Sequence, residues 1–210
     1  MKSKKLSESL FLKKLKWERK LWNNGSILVA GIDEAGRGPL AGPVVAAAVI
    51  FPKKTKPFNL NDSKKLKTNQ REKLYDEILD KALAVGIGTC NEKIIDEINI
   101  LQATYRAMTE AIAALPIIPE YVLVDGREIP HLNIEQTAIV KGDEKCYSIA
   151  AASIIAKVTR DRLMMAFDRK YPNYLFARHK GYPTRKHKEA INKYGACPIH
   201  RASFKIKSNG

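Results

Sequence analysis

The chain has 210 residues, of which 45% are hydrophobic, and its 37 Lys and Arg outnumber its 22 Asp and Glu, giving a formal net charge of +15. This length and apolar content allow one large domain with a buried core, and they exclude a low-complexity or globally disordered chain. No apolar stretch reaches the roughly 20 residues that a membrane-spanning helix needs, and the lysine-rich N-terminus is unlike a signal peptide. We therefore expect a cytoplasmic protein whose cysteines are reduced.

The first half of the chain is predicted to alternate between helices and strands. Apolar residues at helical spacing predict an amphipathic helix over residues 7–22. Two apolar runs, residues 27–32 and 44–51, indicate buried strands that a glycine-rich turn separates. After a charged loop, a helix over 69–81 and a third strand over 82–90 are predicted.

The second half continues the alternation and ends in a long helix. Two helices are predicted near 92–97 and 99–114, followed by strands over 121–125 and 136–140. Small and apolar residues over 147–169 indicate a long helix that packs closely on a sheet, and the basic chain beyond it reads as loop and short helix. The pattern predicts one α/β domain built on a mixed sheet.

The positive charge is concentrated at the two ends. Residues 1–26 carry eight basic and two acidic side chains, residues 27–156 carry 15 and 17, and residues 157–210 carry 14 and three. A basic surface attracts polyanions, of which nucleic acid is the commonest. An anionic membrane surface is the alternative, but the C-terminal segment lacks a long basic amphipathic stripe. We therefore expect a nucleic-acid partner and no membrane.

The glycine-rich sequence GRGPLAG, residues 36–42, does not match a dinucleotide-binding fingerprint. Its glycine spacing is one residue too long, and it runs into an apolar strand pattern instead of opening a helix. The chain also has no GK[ST] phosphate loop. The sequence therefore does not predict a nucleotide cofactor.

Acidic residues follow two of the predicted strands and precede the long helix. Asp33 and Glu34 come directly after one apolar run, Asp125 ends another, and Asp143 lies just before the long helix. Each alone is more often a turn or helix-capping residue. Together, converging carboxylates repel one another unless a divalent cation neutralises them, and oxygen ligands suit Mg²⁺ or Mn²⁺. This set in a basic protein indicates metal-dependent phosphodiester hydrolysis.

Six sequence blocks along residues 27–206 resemble the type 2 ribonuclease H family, and bacterial ribonuclease HII in particular. In chain order they are GIDEAGRGPLAGPVVAAAVI, NDSKKL, VLVDG, VKGDEKCYSIAAASIIAKVTRD, HKGYPT and HRASF. The first and fourth blocks are long and specific, and the resemblance covers nearly the whole chain after residue 26. The preceding 26 residues are too few for the N-terminal platform of type 3 relatives, which favours type HII.

The resemblance implies a fold, an activity and a cofactor. The fold would be that of ribonuclease H, a five-stranded mixed sheet flanked by helices with a basic C-terminal helical extension. The activity would be cleavage of the RNA strand of RNA–DNA hybrids, and cleavage 5′ to single ribonucleotides in duplex DNA, leaving 3′-hydroxyl and 5′-phosphate ends. The family's metal-site residues match Asp33, Glu34, Asp125 and Asp143, where two Mn²⁺ or Mg²⁺ ions would activate the attacking water and stabilise the leaving oxygen.

Further matches to the family imply contacts with nucleic acid. Gly36, Arg37 and Gly38 match the motif that reads the ribose 2′-hydroxyl through backbone groups, and this hydroxyl is what distinguishes RNA from DNA. Tyr182 matches the tyrosine that packs on the sugar at the RNA–DNA junction. Phosphate contacts are implied for a second set of residues: Ser63, Lys64, Lys65 and Lys180. The spacings of His179, His187 and His200 fit no metal motif, so structural or phosphate-adjacent roles are expected for them.

The sequence divides into a basic helical extension over residues 1–26 and a catalytic domain over 27–210, whose C-terminal helical region begins near 157. Nothing in the sequence indicates an obligate dimer, so we expect a monomer. Two other functions stay open from the residues alone: a non-catalytic RNA-binding protein that uses the basic ends, and a structure-selective DNA nuclease of the same superfamily.

Overall fold

The computed structural model describes residues 11–56, 58, 60 and 67–204. One five-stranded mixed sheet lies at the centre, in the order β3-β2-β1-β4-β5. The middle strand β1 pairs antiparallel with β2 and parallel with β4, while β2–β3 is antiparallel and β4–β5 is parallel. The strands are β1 Val29–Ala35, β2 Val44–Ile50, β3 Ala84–Cys90, β4 Tyr121–Asp125 and β5 Glu135–Ile139. The predicted α/β class with a five-stranded mixed sheet is confirmed.

Helices cover both faces of the sheet. The helix α5 packs on one face together with α1 and α2, and α3 packs on the other, so that each face has its own apolar core. The helices are α1 Lys16–Asn23, α2 Thr68–Lys81, α3 Glu92–Ala113, α4 Gly142–Lys145, α5 Tyr147–Lys170, α6 Phe176–His179 and α7 Arg185–Tyr194. Residues 11–14 are also helical, and Pro172–Tyr174 forms a 3-10 turn. None of the helices described here has both the length and the apolarity to cross a bilayer.

Strand β1 is longer than its apolar run predicts, and this changes the setting of two candidate residues. The strand was predicted to end at residue 32, with a turn beginning at Asp33, but pairing with β2 continues to Ala35. Asp33 lies opposite Ala47 and Glu34 opposite Ala46. The ladder hydrogen bonds therefore fix the backbone of both carboxylates within a central strand, which is a stiffer support than a turn.

Helix α5 approaches β1 closely because the contact point has no side chain. A Cβ atom added to Gly31 would lie 2.3 Å from the backbone of Ser148 and Ile149, at the start of α5. Glycine at this position therefore lets the first turn of α5 lie directly against the strand that carries Asp33 and Glu34.

The C-terminal region forms a third, smaller core beside the sheet. Leu40 and Ala41, from the loop after β1, pack with Met164 of α5, Tyr174 and Phe176. This core attaches the basic C-terminal helices to the glycine-rich loop and so to the end of β1.

Candidate active site

Two of the acidic candidates lie side by side at one edge of the sheet. In the parallel pair β1–β4, Ile32 is opposite Val124, so the residues that follow them, Asp33 and Asp125, are neighbours. Side chains alternate along a strand, so Glu34 leaves β1 on the face opposite to Asp33. All three carboxylates line one cavity at this edge, as the sequence predicted.

The environment of the carboxylates disfavours their ionised forms. Burial raises the pKa of Asp33 well above its usual value, and the carboxylates of Glu34 and Asp125 raise it further, whereas hydrogen bonds from the Ser153 hydroxyl and the Glu34 amide oppose the shift. Burial also raises the pKa of Glu34, against the effect of the Arg37 guanidinium 3.3 Å away. Like charges gathered in a desolvated site are the condition that a bound cation relieves.

Asp143 reaches the same edge through its neighbour in the chain. The backbone N–H of Gly142, at the start of α4, donates a 2.5 Å hydrogen bond to the Asp125 carboxylate. A Cβ atom at Gly142 would lie 3.2 Å from that carboxylate oxygen and 2.6 Å from Ile149 of α5. Asp143 is buried, with 6% of its surface exposed. The segment between β5 and α5 thus places the residue before Asp143 against Asp125, while Asp143 itself is not among the residues that line the cavity.

The donor set suits a hard divalent cation, although its side chains are not yet arranged around one. Carboxylate oxygens are the ligands that Mg²⁺ and Mn²⁺ prefer. Within the described residues, no three His, Cys, Asp or Glu side chains already surround a common point as metal ligands would. One candidate ligand is engaged with a cation, since Glu34 Oε1 is paired with the Arg37 guanidinium at 3.3 Å.

The cavity also presents positive charge for a polyanion. It has a volume of about 480 Å³, and Arg37, Arg71 and Lys157 line it beside the carboxylates. Lys157 is ion-paired with Asp161 one helical turn further along α5, and burial lowers the pKa of its ammonium group. Acidic groups at the centre and cations at the rim match a phosphodiester that approaches through bound metal ions.

The GRG segment forms one wall of the cavity, and two buried arginines shape it. Gly36 has a φ of +100°, and a Cβ atom there would lie 2.1 Å from Arg160 Nε, so only glycine fits. Arg201 donates to the carbonyl oxygens of Gly36 at 2.6 Å, Arg37 at 3.1 Å and Gly42 at 2.7 Å. The guanidinium of Arg201 therefore fixes the backbone that the sequence assigns to reading the ribose.

Arg160 supports the same loop from helix α5. It is 1% exposed and donates to the carbonyl oxygens of Ala41, Pro43 and Lys180 at 2.9–3.1 Å. Burial lowers the pKa of Arg160 to about 10 and that of Arg201 to about 9, so both remain cations at neutral pH. Two positive charges thus lie behind the wall of the cavity.

Tyr182 lines the cavity next to the GRG segment. Its side chain is 41% exposed, and the Gly38 Cβ position is 3.7 Å from the ring. The Arg160 guanidinium lies 5.9 Å from the ring centre. An exposed aromatic face beside a polar backbone is suited to contact with a sugar or base.

Among the remaining predicted phosphate contacts, only Lys180 lies within the described residues. The Lys180 ammonium donates to the Ala177 carbonyl at 2.6 Å, and Lys180 does not line the cavity. Ser63, Lys64 and Lys65 fall outside the residues that the structure describes.

Several residues of the site escaped the sequence reasoning. Ser153 and Lys157 are one helical turn apart in the block SIAAASIIAKVTRD, so helical spacing could have placed both on the sheet-facing side of α5. Arg71 had no comparable signal, because only the tertiary fold brings α2 to the cavity. Arg160 and Arg201 lie within the matched blocks, yet nothing local distinguishes them from surface cations.

The histidines form a packed cluster with structural contacts. His200 Nδ1 accepts from the Cys197 amide at 2.9 Å, so its Nε2 carries the proton and donates to His187 Nε2 at 3.1 Å. His187 Nδ1 then donates to the Tyr182 carbonyl at 2.9 Å. The His179 ring stacks on His187 with centroids 4.4 Å apart. The cluster therefore supports the backbone of Tyr182, which agrees with the structural role expected for these histidines.

Comparison with known proteins places this site in a family context. A sequence model of the ribonuclease HII family matches residues 30–207. Ribonuclease HII of Acetivibrio thermocellus is 58% identical over 95% of this chain and 83% of its own length, and ribonuclease HII of Syntrophus aciditrophicus is 55% identical over 91% of each.

Among solved structures, ribonuclease H2 from Pyrococcus horikoshii OT3 is similar with a TM-score of 0.71 at 31% identity, covering 85% of this chain and 94% of that one. The PCNA:RNase HII complex from Archaeoglobus fulgidus is similar with a TM-score of 0.72 at 27% identity, covering 87% and 98%.

Proposed function

Because this chain belongs to the ribonuclease HII family and is therefore an endoribonuclease acting on RNA–DNA hybrids, we propose that Asp33, Glu34, Asp125 and Asp143 form its catalytic metal site. The family depends on divalent metal ions and uses two of them. The observation that carries the proposal is the gathering of desolvated carboxylates at the ends of β1 and β4, where they raise the pKa of Asp33.

The bound ions would be Mg²⁺ or Mn²⁺, which activate water for attack and stabilise the leaving 3′-oxygen. The protein's part is to hold the ligands in place. The Glu34 amide and the Ser153 hydroxyl orient the Asp33 carboxylate. Arg37 is paired with Glu34 and lines the same cavity, where its guanidinium would be available to a phosphate of the substrate.

The proposed substrates are RNA–DNA hybrids and duplex DNA that contains single ribonucleotides, cut on the 5′ side of the ribonucleotide to leave 3′-hydroxyl and 5′-phosphate ends. The backbone of Gly36, Arg37 and Gly38 would contact the 2′-hydroxyl, and the exposed ring of Tyr182 would pack on the following sugar. Support comes from their position next to each other in one cavity that the carboxylates also line. Arg71 and Lys157 line the cavity, so we propose them as further phosphate contacts. The phosphate contacts of Lys180 and of the segment Ser63-Lys64-Lys65 stay predictions.

The test of the metal site is the substitution Asp33→Asn, with the exposed Asp80→Asn as a matched control. Loss of one anionic ligand should reduce cleavage of a duplex with one ribonucleotide by at least about a hundredfold, because each metal contributes several kcal/mol to the transition state. Substrate binding in EDTA should change less than about threefold, since phosphate contacts dominate affinity. Wild-type turnover in Asp33→Asn would remove Asp33 from the metal site.

The test of ribose recognition is Tyr182→Ala. We expect cleavage at a single ribonucleotide to fall more than cleavage of a long hybrid. The long hybrid offers many positions at which the enzyme can bind and cut, whereas the single ribonucleotide offers one. An all-DNA duplex serves as the specificity control. Equal losses on both ribonucleotide substrates would count against a junction role, and equal cleavage of the all-DNA duplex would favour the structure-selective DNA nuclease.

We also propose that the protein acts as a monomer in the cytoplasm. The support for the compartment is the substrate, because the relatives come from bacteria, in which DNA is replicated there. The support for the monomer is that one chain supplies all four carboxylates of the proposed metal site, so the proposal needs no second copy. A sedimentation measurement with and without substrate tests the oligomeric state.

A further inference from the structure

The helical stretch that precedes the sheet packs into the main core. We call residues 11–23 the N-terminal helical segment. Its apolar side chains Phe11, Leu15 and Trp22 are 7%, 3% and 5% exposed and join the core beneath α5. The Phe11 ring meets the Tyr147 ring edge to face, with centroids 4.8 Å apart. The family model begins its match at residue 30, beyond this segment.

A lysine of the N-terminal helical segment touches the loop of a proposed metal ligand. Lys14 is half-buried, and its ammonium donates to the backbone carbonyl of Asp143 at 3.0 Å and to that of Leu60 at 3.1 Å. Its charge is therefore directed inwards, in contrast to Lys13 and Lys16, which are exposed on the same segment. This hydrogen bond is charge-assisted and so among the stronger kinds.

A glutamate of the same segment caps the helix that follows Asp143. Glu18 is 2% exposed, and its Oε1 accepts hydrogen bonds from the Ser148 amide and hydroxyl, both at 2.8 Å, and from Cys146 Sγ at 3.1 Å. These donors lie at the N-terminus of α5, where free N–H groups and the helix dipole favour a negative group. Burial raises the pKa of Glu18, and its Oε2 has no hydrogen-bond partner within the described residues, so the three donors on Oε1 are what holds the side chain in place.

These contacts hold the short loop that carries Asp143 at three points. Asp125 holds the Gly142 amide, Lys14 holds the Asp143 carbonyl, and Glu18 holds the start of α5. We propose that Lys14 and Glu18 are positioning residues for Asp143, so that the N-terminal helical segment forms part of the catalytic architecture. The inference rests on the proposed metal site, and its experiment separates the two.

The experiment measures Mn²⁺ binding without substrate, by titration followed by electron paramagnetic resonance. Lys14→Met removes the ammonium and keeps the aliphatic stem, and Lys16→Met is the matched control. We expect Lys14→Met to weaken Mn²⁺ binding about tenfold, as is usual when a residue behind a metal ligand is lost. Lys14→Arg, which restores a donor, should recover most of the affinity. Thermal unfolding of each variant shows that the metal effect is measured on folded protein.

Glu18→Gln tests the second contact. The amide still offers one acceptor but loses the negative charge at the helix N-terminus, so Mn²⁺ binding should weaken by less than in Lys14→Met, about threefold. The Mn²⁺ concentration needed for half-maximal cleavage should rise in parallel, while kcat at saturating Mn²⁺ stays close to wild type. A role in substrate binding would instead change KM for the nucleic acid.

The outcomes distinguish the inference from the proposed function. If Asp143→Asn abolishes Mn²⁺ binding at one site and Lys14→Met behaves like Lys16→Met, the metal site stands and the positioning role is wrong. If Asp143→Asn binds Mn²⁺ as wild type does, Asp143 is not a ligand and the proposed site itself is wrong. Weaker binding in both Asp143→Asn and Lys14→Met, with normal binding in Lys16→Met, supports the positioning role.

Discussion

At the scale of single residues, the two buried arginines explain how a glycine-rich loop keeps one shape. Arg160 and Arg201 are 1% and 3% exposed, and the hydrogen bonds found for their guanidinium groups all go to backbone carbonyls. A buried cation is costly unless its donors are satisfied. Carbonyl oxygens at fixed positions satisfy them here, so the loop and the guanidinium groups hold each other.

The substitution Arg201→Lys tests this argument. An ammonium cannot reproduce the fork of donors, so it leaves at least one of the carbonyls of Gly36, Arg37 and Gly42 unpaired. We expect the free energy of unfolding to fall by about 2 kcal/mol. Cleavage at a single ribonucleotide should fall further than cleavage of a long hybrid, since the GRG backbone is displaced.

The control for that variant is Arg169→Lys, at an exposed position near the end of α5. Urea unfolding and cleavage of both substrates are measured for the two variants. Equal stability of the two variants would show that Arg201 does not hold the loop.

The meeting of candidate residues at one edge of the sheet could be predicted from the sequence where a local pattern marks the end of a strand. Asp33 and Asp125 were found because an acidic residue directly follows or ends an apolar run. The roles of Arg160 and Arg201 were missed because their carbonyl partners lie 117 and 165 residues away, at Pro43 and Gly36. Contacts of that separation exist only in the folded chain, and a single sequence contains no local sign of them.

At the scale of secondary-structure elements, prediction succeeded where the hydrophobic period was clear. Strand β4 has the predicted bounds, Tyr121–Asp125, and α5 ends one residue beyond its prediction. The break predicted between two helices near residue 98 is found at Asn99, which has a φ of 66° and accepts hydrogen bonds from the amides of Leu101 and Gln102. The end of β1 was wrong because strand pairing, not hydropathy, extends it through Asp33 and Glu34.

The histidine cluster, as a unit of the C-terminal helices, should make stability depend on pH. Burial lowers the pKa of His187 to about 4, below the ordinary value of 6.5. Between these values the unfolded chain binds more protons than the folded chain, so the free energy of unfolding falls as the pH falls from 6.5 towards 4. We expect His187 to account for a loss of roughly 2 kcal/mol by pH 4.5.

The variant His187→Asn isolates this contribution. Its amide keeps a donor near the position of Nδ1 for the Tyr182 carbonyl, but it cannot be protonated. Urea unfolding of both proteins at pH 7 and pH 4.5 gives the difference between their pH dependences. Parallel losses of stability in the two proteins would assign the acid sensitivity to other groups.

At the scale of the whole molecule, the topology and the charge distribution serve the same site. The central position of β1, with β4 parallel beside it, brings the carboxyl ends of both strands to one edge, where α/β sheets commonly bind their ligands. The balanced middle of the chain supplies the carboxylates, while Lys157 and Tyr182 come from the strongly basic C-terminal quarter. A cluster of carboxylates thus lies beside cationic side chains within a protein of net charge +15.

This distribution predicts a steep dependence of substrate binding on salt. Each phosphate contact by Lys or Arg releases a counterion, and about four contacts around the cavity would weaken binding roughly a hundredfold between 50 and 200 mM salt. The measurement is fluorescence anisotropy with a labelled ribonucleotide-containing duplex in EDTA, so that cleavage does not interfere. A flat dependence over this range would contradict the role given to the basic surface.

The slope of that dependence can be assigned to individual residues. Arg71 lines the cavity, so Arg71→Gln should reduce the slope of log affinity against log salt by about one. Lys193 is exposed on α7 and does not line the cavity, so Lys193→Gln serves as a control that removes the same charge elsewhere. If both variants reduce the slope equally, the attraction comes from net charge spread over the surface. A change confined to Arg71→Gln means that the phosphate backbone contacts the cavity rim, which is where a scissile phosphate must lie to reach the carboxylates.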